Sequence, residues 1–242
     1  MKKLRALAVL AFALVPTLLI PSAHAQVVVQ DQGLQQFCGN WGSDGGYTCM
    51  GLSGQLIKDD TEQDPNHDIF TIVVRAWDST NDNYGIGDMW LETQTQTSVG
   101  GGAYQPALLD KWDPQSQQTS SQQQITFSYA GISVPITMPA SKTDIYDNLN
   151  YYSTLYVAWH VHMDCNCPPP PIPNPGWAEF AVAFSVPEGG IVAINVYLHL
   201  RFTNPPADSN PFTLTWSGWT PTYGITFQYP PPPPPRRCPP VC

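Results

Sequence analysis

The segment Val192-Ala-Ile-Asn-Val-Tyr-Leu-His-Leu-Arg-Phe202 constrains the fold more than any other part of the chain. Val192, Ile194, Val196, Leu198, Leu200 and Phe202 recur with period two, which gathers them on one side of a strand and would scatter them around a helix. Asn195, Tyr197, His199 and Arg201 take the opposite side. The residues just before repeat the pattern, with Ala178, Phe180, Val182, Phe184 and Val186 as the apolar set and Trp177, Glu179 and Ala181 opposite. A third run sets Leu155, Val157, Trp159, Val161 and Met163 against Tyr156, Ala158, His160 and His162. Strands with one apolar face each need a second layer to cover them.

Further strand-like runs cover Asp68 to Trp77, Gly87 to Val99, Gln124 to Pro135, Phe212 to Trp216 and Gly224 to Tyr229. Clusters of Gly, Pro, Asn and Asp separate them, and helical periodicity is nearly absent. The expected fold class is all-β, an antiparallel β-sandwich or jelly roll, as a single domain over residues 26–229 with a proline-rich tail over 230–242. Gln115 to Gln124 reads as a polar loop. Pro230 to Pro235 reads as a stiff polyproline II rod.

The chain opens Met-Lys-Lys-Leu-Arg, runs apolar from Ala6 to Ile20 around Pro16 and Thr17, and reaches Ala23-His24-Ala25. That order, basic then apolar then small, is a cleavable export signal over residues 1–25. No other segment nears the roughly 20 apolar residues of a spanning helix, so no transmembrane anchor is expected. Loss of Lys2, Lys3 and Arg5 leaves seven basic against 19 acidic residues, a net charge of −12. Such a surface repels phosphate backbones and argues against nucleic acid as a partner.

Six cysteines, at 38, 49, 165, 167, 238 and 242, follow the signal. An even number in an exported chain points to disulfides. Cys38 and Cys49 flank a glycine-rich loop that they are expected to close. Cys165 and Cys167, like Cys238 and Cys242, sit beside polyproline, and the expected bridges join those two pairs. Their spacings, C-x-C and C-x3-C, are not those of zinc sites.

Candidate site residues follow from strand parity. A three-residue loop at Glu188-Gly-Gly190 would make a hairpin that sets His199 opposite Glu179 and Arg201 opposite Trp177. If the histidine strand pairs on the far side, His160, His162, Glu179 and His199 converge on one sheet face. Three imidazoles and a carboxylate suit Zn, Fe, Mn or Cu. His-x-His on a strand followed by Glu and a later His is similar to the ligand order of cupins; here the Glu comes 17 residues after His162 and the cupin glycines do not align. Tyr156, Trp177, Tyr197 and Arg201 would give the same face stacking and polar groups for a ligand.

Two further chemistries are open to the sequence. Glu92 and Glu179 are the glutamates within strands, each near a tryptophan, and two carboxyls across a glycosidic bond are what a glycoside hydrolase needs. The stretches Asp78 to Asp88 and Asp59 to Asp64 offer oxygen ligands for calcium within turns, without EF-hand spacing. No nucleophile elbow or phosphate-binding loop is present. The expected function is an exported, disulfide-stapled binding or structural module for a glycan or a cell-surface protein. Its alternatives are a metal-dependent or glycosidic enzyme, and a surface filament or coat subunit in which the strand Val27 to Val29 or the tail links copies into a homo-oligomer by strand addition.

Overall fold

A computed structural model describes residues 26–42, 44–59, 64–78, 85–95, 98–99, 102–103, 107–119, 121–138, 141–147, 155–162, 177–204 and 215–230. The strands in the first half of the chain are β1 (Gln26–Gly39), β2 (Thr48–Asp59), β3 (His67–Asp78), β4 (Gly85–Thr95), β5 (Ser98–Val99), β6 (Gly102–Ala103), β7 (Leu108–Asp113) and β8 (Gln117–Thr119). Those in the second half are β9 (Gln123–Tyr129), β10 (Ile132–Met138), β11 (Ser141–Asp147), β12 (Tyr156–His162), β13 (Trp177–Pro187), β14 (Val192–Asn204), β15 (Thr215–Trp219) and β16 (Tyr223–Tyr229). The fold is all-β and every strand pairing is antiparallel. No helix among the described residues is long and apolar enough to cross a membrane. Cys165, Cys167, Cys238, Cys242, Met163, the export signal and the polyproline tail lie outside the described residues.

Two sheets make the sandwich. One runs β1-β2-β3-β13-β7, and the other runs β15-β14-β4-β12-β11-β8 with β16 also paired to β14. The period-two apolar sets meet between them: Phe70, Ile72 and Val74 with Phe180, Val182 and Phe184 from one side, Leu91, Val157 and Trp159 with Val196, Leu198 and Leu200 from the other. Trp159 packs on Phe180 with ring centroids 5.2 Å apart, which ties the two sheets face to face. The layers are close enough that Gly54 cannot be larger. A Cβ there would lie 2.8 Å from the Val73 carbonyl oxygen and 2.9 Å from the Phe227 ring of the opposing sheet.

The connection between β13 and β14 differs from the expected hairpin. Gly189, at φ +68°, and the bond from the Gly190 N–H to the Pro187 carbonyl (2.8 Å) make the tight loop that the sequence suggested. Yet β13 pairs with β3 and β7, while β14 pairs with β4, β15 and β16. The loop is an arch from one sheet to the other. An arch keeps both apolar faces on the core just as a hairpin does, so parity alone does not separate the two.

The run Gln124 to Pro135 is also more than one strand. Ala130 and Gly131, both at positive φ, turn the chain back so that β9 and β10 form a two-residue hairpin with Ile132 opposite Tyr129. This hairpin is a sheet of its own. Its Phe127 and Ile136 rest on Ala181 and Ala183 at the outer face of the first sheet.

At the start of the domain, β1 adds to β2 of its own sheet, with Cys38 opposite Cys49. These two form the expected disulfide. Closing a loop with a sequence separation of 11 removes denatured-state entropy worth about 3 kcal/mol. Cys38→Ser with Cys49→Ser is therefore expected to lower unfolding free energy by about 2–3 kcal/mol, read as a lower urea midpoint.

Candidate functional site

The outer face of the seven-stranded sheet carries the polar residues of its three central strands in register. β4 lies between β12 and β14. Asp88 stands between His162 and Arg201, Trp90 between His160 and His199, Glu92 between Ala158 and Tyr197, and Gln94 between Tyr156 and Asn195. Four rows thus cross three strands, and the alternate residues Met89 and Leu91 of β4 go to the core.

An irregularity in β4 stands just before Asp88, which itself alternates regularly with Trp90, Glu92 and Gln94. Arg201 pairs with Asp88 and Phe202 with Ile86, so Gly87 is an extra residue on β4. Such a bulge switches the face on which the next side chain points. Ile86 enters the core while Asp88, two residues on, turns to the outer face.

Trp90 and Trp219 with His160 and His199 form an aromatic wall. Trp90 lies 5.5 Å from His160, tilted by 46°, and 6.3 Å from His199, edge-on at 88°. Trp219, opposite Arg201 at the end of β15, lies 4.8 Å from His199 and 5.9 Å from His160. The Arg201 guanidinium sits 6.0 Å over the Trp219 ring. These rings open onto a cleft of about 600 Å³, into which Glu92, Gln94, Tyr197 and Thr222 bring polar groups.

Burial holds both wall histidines below the usual imidazole pKa. For His160 the charge of neighbouring His162 pushes the same way, against the partial offset of Asp88; for His199 the second cause is His160. Neutral imidazoles keep one nitrogen as donor and one as acceptor. Tyr156 has its phenol pKa raised, first by burial and then by the Glu92 carboxylate.

Asp88 sits at one end of this wall, with 4% of its side chain exposed. Its Oδ1 lies 2.6 Å from His162 Nδ1 and 3.4 Å from His160 Nε2, and its Oδ2 lies 3.3 Å from Arg201 Nη1. The two imidazole rings are 4.0 Å apart.

The structure unites His160, His162, His199, Tyr156, Tyr197 and Arg201 on one face and removes two residues from it. Glu179 and Trp177 are on β13, in the other sheet. Glu179 points to that sheet's outer face, where its Oε1 takes bonds from Arg75 Nε and Nη2 (2.9 and 2.5 Å) and its Oε2 takes one from the Thr137 N–H of the hairpin (2.8 Å). It is therefore not a partner of the histidines, and the set His160, His162, Glu179, His199 does not assemble. Glu92 and Glu179 likewise lie on opposite outer faces of the sandwich and cannot flank one glycosidic bond. Of the proposed calcium turns, the first has Asp78 at the end of β3 and Asp88 in β4, with residues 79–84 outside the described ones. In the second, Asp59 ends β2, residues 60–63 lie outside the described ones, and Asp64 accepts the Asn66 N–H at 2.9 Å and meets His67 Nδ1 at 3.0 Å.

Trp90, Asp88, Gln94, Trp219 and Thr222 were not foreseen as one site. For Trp90 and Gln94 the signal was present: Met89, Leu91 and Thr93 alternate with Trp90, Glu92 and Gln94. Trp219 closes a short strand with no alternation to mark it.

No protein-family model and no curated protein sequence matches the chain. Solved structures similar to it include a pore-forming protein (TM-score 0.40, 10% identity, over 84% of this chain and 95% of that one). Others are the Clostridium perfringens delta-toxin (0.39, 8%, over 81% and 86%) and the Clostridium perfringens NetB toxin in its membrane-inserted form (0.31, 8%, over 81% and 95%). No activity is carried over from likenesses of this strength.

Proposed function

We propose that this protein is an exported binding module that recognises a neutral glycan in the cleft on its seven-stranded sheet. The carrying observation is the pairing of Trp90 and Trp219 with Glu92, Gln94, Tyr197 and His199 around one open cleft of about 600 Å³. A pyranose ring has an apolar C–H face and a polar rim. The indoles offer π surface to the first, and the carboxylate, amide, phenol and imidazole offer hydrogen bonds to the second. A few convergent polar groups in a mostly aromatic pocket fix orientation more than they supply affinity. Glu92 within the cleft and the negative net charge favour a neutral sugar over an acidic one.

The test is titration of neutral oligosaccharides, followed by tryptophan emission, against native protein and Glu92→Gln. Binding by the native protein, weaker in Glu92→Gln by a factor of about 10 as expected for one hydrogen bond to a charged group, supports the reading. Absence of any response across neutral oligosaccharides removes it.

A second reading, membrane insertion by the β9–β10 hairpin, is favoured by one observation of its own. Ile125, Phe127 and Tyr129 with Val134 and Ile136 contact the sandwich, while Thr126, Ser128 and Ser133 alternate with them. An amphipathic hairpin that pairs only with itself among the described residues, resting on alanines, can exchange that seat for lipid if several copies pair edge to edge and its two seven-residue strands lengthen to the roughly 9–11 residues that a spanning strand needs. An Ile136→Cys/Ala181→Cys bridge is expected to abolish dye release from phosphatidylcholine–cholesterol vesicles, and reduction to restore it. Failure of the unmodified protein to release dye would dismiss this reading.

A further inference from the structure

We propose that Asp88, His160 and His162 form a binding site for one divalent transition-metal ion, at the end of the cleft that His160 also lines. The three offer one ligand atom each, all within 4.8 Å of one another. Metal bonds of 2.0–2.2 Å at tetrahedral angles separate ligand atoms by about 3.4 Å. The 3.4 Å from Asp88 Oδ1 to His160 Nε2 equals that value, and His162 Nδ1, in direct contact with Oδ1 at 2.6 Å, would move back by a rotation of its half-exposed side chain to share the ion.

A second observation points to a cation and not to an ordinary ion pair. Asp88 Oδ1 and His160 Nε2 are both buried, and neither makes a well-aligned hydrogen bond: each faces a ring nitrogen or carboxylate oxygen at 2.6–3.4 Å without the geometry to share a proton. A carboxylate oxygen and an imidazole nitrogen left so cost free energy. A shared metal ion satisfies both at once. Arg201 Nη1, 3.3 Å from the other carboxylate oxygen, holds Asp88 in orientation as outer partners of metal-binding carboxylates do.

Two imidazoles and one carboxylate suit zinc, cobalt or iron(II), and leave at least one coordination position for water or a ligand oxygen. The assignment does not rest on the glycan reading. Glu179, which the sequence had offered as the carboxylate, is replaced by Asp88, and His199 stays in the aromatic wall.

The test is calorimetric titration of metal-free native protein, prepared without a histidine tag, with zinc chloride, and cobalt(II) absorption as a second probe. The expected result is one equivalent of zinc and the appearance of cobalt(II) d–d bands in the visible that zinc then displaces. His162→Ala and Asp88→Asn should each weaken zinc by at least about 100-fold, since loss of an outer partner alone costs 10–100-fold. Circular dichroism of His162→Ala, whose side chain is 35% exposed, checks that the fold is kept. Gln94→Ala, at a cleft residue in the row farthest from Asp88, should leave zinc binding intact, which separates this site from the sugar cleft. No stoichiometric binding by the native protein, or binding that His160→Ala and His162→Ala both leave unchanged, overturns the proposal.

Discussion

Trp159→Ala is expected to leave the protein largely unfolded near its physiological temperature. The side chain is fully buried, packs on Phe180 across the sandwich, and donates its indole N–H to the Pro114 carbonyl at 3.0 Å. Removing a buried tryptophan costs about 3–5 kcal/mol, and stranding a buried carbonyl adds about 1–3 kcal/mol. Domain stabilities run only to about 5–15 kcal/mol. Trp159→Phe separates the parts: it keeps most of the ring volume and loses the hydrogen bond, so about 1–3 kcal/mol should go. Urea denaturation reads both. A midpoint for Trp159→Ala within experimental error of the native one would contradict the two-sheet core described here.

Trp90→Ala should weaken neutral-oligosaccharide binding by about 30-fold or more, the roughly 2 kcal/mol of a central aromatic anchor. Trp90 is the middle member of its row, between His160 and His199, and contacts both rings. Its removal takes away a stacking surface and loosens the two imidazoles beside it. Trp90→Phe should recover part of the loss, since a smaller ring keeps a π face. Because the residue is on the outer face, the urea midpoint should change much less than in Trp159→Ala. Calorimetry checks the binding. Equal affinities of native protein and Trp90→Ala would place recognition elsewhere.

The apolar faces of β12, β13 and β14 were legible in the sequence because period two is a local property. Each of Val157, Phe180 and Leu198 needs only its own neighbours to declare its side. Strand pairing is not local, and there the reading failed at one loop. Glu188-Gly189-Gly190 serves a hairpin or an arch equally well, and choosing the hairpin carried Glu179 and Trp177 to the wrong sheet. The role of Asp88 was hidden for the same reason. Its parity with Trp90, Glu92 and Gln94 puts it on the outer face, but only the pairing of β4 with β12 and β14 sets it between His162 and Arg201. β1 gave little signal because it is an edge strand with Val28 and Leu34 exposed, and β2 was hidden because two glycines and five polar residues interrupt its apolar alternation. The disulfide was legible because Cys38 and Cys49 bracket a turn-rich loop that needs two antiparallel strands to close it.

Side-chain footprinting by carbene labelling, with and without a saturating neutral oligosaccharide, tests the central claim most directly. The account predicts protection of Trp90, Tyr197 and Trp219 together, with labelling of Arg75 and Val73 on the opposite outer face unchanged. Protection confined to that opposite face, or no protection at saturation of binding, would contradict it.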